Sequence, residues 1–309
     1  MNGTDFVAAY AKATAYQWEQ AAVRLAEQGG LVDWPWVTLD LSTPDGAHRA
    51  KVRVRSDYLA VGTPQDYVRL PLTPRTAQTI CNMRGSMLPT PWLAYQAWKQ
   101  APVRLDPTPM APNAGANLRQ YEAHSRAIDA QLKALARAPE QLVRGHKKEV
   151  VVANIPSAGK VLIFAWYKAH NGPASNQLPD GMPLDVYDNG QPMLVNVNGV
   201  QILNPKRQPI QPLSNVHGDF YVDYSHGIAE IDGAAELDGT PIATCDLYQH
   251  PTLSALVNRD GPVRVPRYPA DRSPAVHGPS PSLVSSLPGR TADDGLRWWL
   301  YLEQMRKAS

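Results

Sequence analysis

Two histidines, two aspartates, two tyrosines and a serine fall within the twelve residues Val216-His217-Gly218-Asp219-Phe220-Tyr221-Val222-Asp223-Tyr224-Ser225-His226-Gly227. Such side chains carry protons, ligate metals and attack carbonyl carbons. Each histidine precedes a glycine, which lets backbone and ligand approach closely. Read as a strand, the segment puts His217, Asp219, Tyr221 and Asp223 on one face, because alternate residues share a side. Tyr224-Ser225-His226-Gly227 then reads as a turn that folds His226 back toward that face.

Three chemistries fit. His217, Asp223 and His226 form the ligand set of a catalytic zinc with one open position. Alternatively, one histidine is a general base oriented by Asp223, serving Ser225 or a water as nucleophile. Third, the histidines with Tyr224 bind an anionic or sugar ligand. The reading without chemistry is a Tyr/His-rich strand whose polar groups satisfy one another.

Other candidates stand outside this segment. In Gly145-His146-Lys147-Lys148-Glu149, His146 and Lys148 share a face and could hold a substrate carboxylate or phosphate. The competing reading of this basic run, which starts at Arg144, is a solvated strand start. Ser86 could be a nucleophile at a helix N-terminus or simply a cap. Cys81 and Cys245 lack metal-ligand spacing and read as buried thiols, so a thiolate zinc site is excluded. Trp166-Tyr167 and His170, with the long loop after them, could wall a cleft.

The words His217-Gly218 and Ser225-His226-Gly227 resemble those of L,D-transpeptidases, with a shorter gap and Ile228 where the family carries its cysteine nucleophile. His217 and Asp223 resemble the His/Asp pair of zinc D-Ala-D-Ala and murein peptidases, with one residue fewer between them. Each resemblance covers about a dozen residues, and both imply cell-wall amide chemistry.

The elements that must position these groups are also legible. Thr4 to Leu25 has helical spacing and stops at Gly29-Gly30. Four short alternating runs, Trp36–Leu41, Lys51–Arg55, Tyr58–Val61 and Tyr67–Leu70, predict a small antiparallel meander. Thr73-Pro74 opens a helix to about Arg84, another begins near Pro89, and a third spans Asn117 to Ala138 after a Pro-rich connector. Glu149–Asn154 and Val161–Trp166 are near-continuous apolar runs, as in doubly covered strands. A long loop covers Ala169 to Pro192. Strands are expected at Met193–Leu203, Phe220–Tyr224, Ile228–Ile231 and Thr240–Cys245. A Pro/Ser/Gly linker, Asp271 to Arg290, leads to the aromatic helix Leu296–Leu302.

The expected fold is α+β. It has a mainly helical lobe with the meander at 1–140 and a β-rich lobe with an antiparallel or mixed sheet at 141–270. Residues 271–309 supply the linker and a C-terminal docking helix, a route to a homo-oligomer. Thirty basic residues against 28 acidic ones, net charge +2, give no footprint for nucleic acid. No apolar stretch approaches the ~20 residues of a membrane span. Without a secretory signal the product is expected in the cytosol, leaving it only by a non-secretory route. No GxGxxG, Walker A, GxSxG or HExxH motif is present. The function expected is hydrolysis of an amide- or peptide-type bond, in peptidoglycan or another polymer. The alternative is a non-enzymatic binding or assembly protein, a component of a larger particle.

Overall fold

The computed structural model describes residues 1–110, 117–155, 157–166, 194–197, 200–203 and 211–270. The single long N-terminal helix expected is two helices, α1 (Gly3–Tyr10) and α2 (Ala15–Glu27). The break falls where Thr14 and Gln17 build a capping box, satisfying the first amides of α2 from within the sequence. α1 is capped by the Asn2 side chain, which accepts from Asp5 N.

The four short runs are strands β1 (Trp36–Ser42), β2 (Arg49–Arg55), β3 (Ala60–Thr63) and β4 (Asp66–Arg69). They form two separate antiparallel pairs rather than one meander: β1 with β2, and β3 with β4. α3 (Pro74–Met83) starts at Thr73-Pro74 as read. Its cap comes from elsewhere: the buried Glu19 carboxylate of α2 accepts from Thr73 N (2.6 Å) and from the Thr73 and Thr76 hydroxyls. A carboxylate at a helix N-terminus meets the free amides and the positive end of the dipole.

Ser86 lies in β5 (Ser86–Met87), where its hydroxyl donates to Glu230 Oε1 at 2.8 Å. The cap of α4 (Pro91–Gln100) is Thr90. Strand β6 (Val103–Arg104), helix α5 (Leu118–Ala134) and strand β7 (Val143–Arg144) follow, with β6 and β7 paired in parallel.

The apolar runs of the second half give β8 (Lys148–Val150) and β9 (Ile163–Ala165), an antiparallel pair buried on both sides. Then come β10 (Leu194–Val197), β11 (Val200–Leu203), β12 (Gln211–Ser214), β13 (His226–Gly227), β14 (Ile231–Leu237), β15 (Thr240–Ala243) and α6 (Thr244–Gln249). One mixed sheet has the order β12-β9-β8-β13, in which β13 runs parallel to β8. A second sheet, β1-β2-β14-β15 with β5 on β14, joins strands from both ends of the chain. Helices and antiparallel sheets together make the fold α+β.

The strand expected at Phe220–Tyr224 is not formed, and residues 215–225 are loop and turn apart from a bridge at Gly218. The 169–192 loop, Tyr167 and His170, the 271–290 linker and the C-terminal helix lie outside the described residues. Among the described residues, no helix is long and apolar enough to cross a membrane.

Candidate functional site

The loop that carries the histidines is tied down at both ends. At its start, Val161 N donates to His217 O (3.2 Å) and Asp219 N to Gly159 O (3.1 Å), so the loop lies against the turn before β9. The Asp219 carboxylate turns away and pairs with Arg75 Nε at 3.0 Å. At its end, Lys148 N donates to Ser225 O at 2.8 Å, which docks the turn on β8.

Between these anchors Asp223 organises a turn of its own. Its Oδ1 accepts from Ser225 N at 2.6 Å and from the Ser225 hydroxyl, and its carbonyl accepts from His226 N at 3.1 Å. Aspartate favours this local arrangement because its short side chain reaches the amide two residues on. The other oxygen, Oδ2, accepts from Tyr221 OH at 3.1 Å and lies 3.8 Å from Lys148 Nζ. The Tyr221 ring stacks on His217, centroids 3.8 Å apart, and meets His226 edge-on at 5.6 Å.

His217, Tyr221, Asp223, Ser225, His226 and Lys148 are thus brought together, by a loop and a turn rather than by a strand face. His146 and Tyr224 are not in the cluster. His146 precedes β8, is fully buried and faces inward, its Nε2 3.4 Å from Asp57 Oδ1 and its ring edge-on to Tyr58. Lys148 faces the loop, with its ammonium 4.9 Å from the centre of the Trp166 ring. Tyr224 is buried against His124, and its hydroxyl is held by the backbone of Met110.

His226 is the chemically unusual member. It has no exposed surface, and neither ring nitrogen has a hydrogen-bond partner among the described residues. Burial lowers its pKa to about 4; Lys148, Lys147 and His217 push the same way and the Asp223 charge opposes them. The imidazole is therefore neutral at pH 7. Burial alone would raise Asp223, but His226, the Ser225 donors and Lys148 outweigh it and hold the carboxylate below its ordinary value. Tyr221 is pushed up to about 12, first by burial and then by Asp223.

The backbone beside the cluster is strained. Ala165 and Trp166 have φ of 88° and 69°, the left-handed region that L side chains rarely adopt. Ala165 is the register partner of Lys148. Strain of this kind persists only where surrounding structure enforces it, and it concentrates at functional sites.

Zinc would need three convergent ligands. Among the described residues no group of three His, Cys, Asp or Glu is placed to hold a metal ion.

Behind β8 lies a network that local residue pattern does not reveal. The basic run 144–148, read as a solvated strand start, contains three fully buried cations or imidazoles: Arg144, His146 and Lys147. Arg69 makes a two-pronged ion pair with the buried Asp57 (2.9 and 2.7 Å) and reaches Asp129 at 2.7 Å. Arg144 Nε lies 3.4 Å from Glu149, which accepts from Tyr58 OH at 2.9 Å. Apart from Arg144 and Glu149, these partners are 12 to 91 residues apart in sequence. Asp57 stays well below its ordinary pKa because the Arg69 and His146 contributions exceed the cost of burial. On the far side of this network an open groove of about 660 Å³ is lined by Trp34, Tyr67, Asp129 and Arg137, among others.

Comparison of the chain with protein families, curated proteins and solved structures finds no match.

Proposed function

We propose that this protein is a hydrolase of amide- or peptide-type bonds and that His226 is its general base. The observation that carries the reading is the enclosed, neutral His226 imidazole with both nitrogens unpaired, next to an ammonium and a hydrogen-bonded carboxylate. A buried polar group left without partners costs stability, so its retention asks for another role. His226 takes a proton from a water whose oxygen attacks the carbonyl carbon. The C–N bond then breaks, and the imidazolium returns the proton to the leaving nitrogen, giving an acid and an amine. Lys148 is placed to stabilise the negative oxygen of the intermediate. Asp223 favours the imidazolium as it forms, and Ser225, whose hydroxyl already donates to Asp223, shapes the turn. His226 is enclosed and Tyr221, which packs edge-on against it, is 37% exposed, so the reading requires the Tyr221 side chain to move for water and substrate to reach the imidazole. Peptidoglycan is the first polymer to try, as the sequence resemblances imply.

The purified protein is incubated with peptidoglycan sacculi and, separately, with a peptide library, and new amines are measured by mass spectrometry. Wild type should release amines, and His226→Gln should lower the rate about 10²- to 10⁴-fold with an unchanged melting temperature. No release from either substrate, or equal release by H226Q, overturns the assignment. Metal analysis belongs in the same experiment. A stoichiometric zinc whose removal abolishes turnover would move the base's role to a metal-bound water.

A second reading, a binding or assembly protein without chemistry, has one observation of its own. Val216 and Phe220, in the same loop, are 73% and 81% exposed. Exposed apolar side chains at a loop tip suit a protein partner. Under that reading Phe220→Ser abolishes partner binding, while H226Q leaves it intact.

A further inference from the structure

Lys147 has no part in the chemistry just described, yet it is the most unusual charge near it. Its side chain is fully buried, and no carboxylate lies within ion-pair distance among the described residues. The ammonium instead donates to Tyr224 O at 2.6 Å and stands 3.0 Å from His124 Nδ1 on α5. Burying an ammonium with no carboxylate partner is expensive, and an unbranched apolar side chain such as Met would fill the same space without that cost.

What the amine holds is the turn that carries His226. Tyr224 is fixed at three places: its carbonyl by Lys147, its ring by His124 at 4.9 Å, and its hydroxyl by the Met110 backbone. One residue beyond His226, Gly227 is pressed onto the Lys147 stem. A Cβ added to Gly227 would sit 2.6 Å from Lys147 Cβ and 2.9 Å from Tyr58 Cδ1, so only glycine lets the turn come this close. Lys147 therefore touches the turn on both sides of the histidine, while its neighbour Lys148 pairs with His226 in register.

We propose that Lys147 is the positioning residue of this site: buried behind β8, it grips the Tyr224–Gly227 turn on both sides of His226 and so sets where the imidazole stands. The role deepens the hydrolase reading and rests on it for its catalytic meaning. The grip itself is a property of the structure and is measurable without turnover. The charged or titratable groups around it are His124 on α5, Arg69 on β4, Asp57 and His146 in the buried network, and Asp223, Lys148 and His217 around His226.

The test uses the full chain with ¹⁵N-labelled histidine, the His226 ring signals being assigned by their loss in H226Q. In Lys147→Met the His226 ring nitrogens should shift, and the His226 pKa should rise above about 4 while burial still holds it below an ordinary imidazole value. The rise follows because a cation that opposed the imidazolium is gone. The kcat for amide release should fall about 100-fold with little change in KM, as for a misplaced catalytic group. A folded K147M protein with His226 signals and pKa as in wild type overturns the proposal and leaves Lys147 as core filling. If K147M does not fold, the wild type decides. Lys147, lowered to about 7 first by burial and then by Arg69, is titrated through its ¹⁵N-labelled amine. The His226 ring signals must follow the Lys147 midpoint, and signals blind to it overturn the proposal. Absence of any hydrolysis by wild type sinks the functional reading alone, since the ring signals still report on the grip.

Discussion

The two faces of β8 carry similar residue types and use them in opposite ways. Behind it, Arg69, Asp57, Arg144 and Glu149 are buried, and each finds an opposite charge from another element. In front of it, His226 is just as buried but, among the described residues, has no ion pair or hydrogen bond to its ring. A buried charge that is paired and hydrogen-bonded fixes one arrangement of the elements that supply it. A buried imidazole left unpaired does not fix the elements around it in that way, and the proposed function gives it the proton transfer. The comparison teaches that burial and charge alone do not mark a site; under the proposed function, His226 is set apart by a buried ring that, among the described residues, has neither a carboxylate within ion-pair distance nor a hydrogen bond. His146 tests the rule from the other side. Its ring also lacks aligned hydrogen bonds, yet it lies 3.4 Å from the Asp57 carboxylate inside the network.

The largest expected effect breaks the rear face. Arg69→Met leaves Asp57 buried with its main counter-ion gone, and losing one partner of a buried pair costs about 3–5 kcal/mol. Urea unfolding should show that loss at an unchanged slope. A loss under about 1 kcal/mol would mean the network is not the rigid part of the molecule.

A smaller effect sharpens the contrast through pH. His146 and His226 have folded pKa values of about 4, below the ~6.5 of a free imidazole. Between those values the unfolded chain binds more protons than the folded one. Their contribution to stability is therefore complete above about pH 6.5 and is lost as pH falls toward 4. Glu19 and Glu149, raised by burial, act in the opposite sense near their own titrations, so the informative quantity is a difference between proteins. H226Q should lose less stability than wild type between pH 6.5 and 4 in melts at stepped pH. Equal losses would mean that the imidazole is not enclosed.

The smallest effect concerns the loop tip. Phe220→Ser should change stability by no more than about 0.5 kcal/mol, because the ring is 81% exposed. A larger drop in melting temperature would show that Phe220 is covered in solution, which favours the binding reading over the hydrolytic one.

Much of the scaffold was legible from local chemistry. Thr73-Pro74 starts α3, Asn117 caps α5 through its own side chain, and the apolar runs around Val150 and Ile163 are the buried pair β8–β9. The candidate segment was legible in composition, and its members do gather. The strand drawn for it was not, because alternation of residue types between two glycines also suits a loop. Gly218 and the Asp223 turn decided in favour of the loop. The signal that could have pointed there is Asp-Tyr-Ser, an aspartate two residues before a hydroxyl-bearing residue, which is a turn signature.

What the sequence determined alone is whatever its near neighbours settle: caps, breaks, apolar runs, and the crowding of histidine, tyrosine and aspartate between Val216 and Gly227. Only the tertiary structure decided which charges are buried and with whom. Arg144, His146 and Lys147 read as a solvated basic run, yet each is fully enclosed. Asp57, His124 and Tyr224 reach His146 and Lys147 through chain pairings that local pattern does not encode. Burying a charge is governed by the groups that meet it in space, and those meetings are long-range. The same holds for His226, whose isolation is set by every element packed around it.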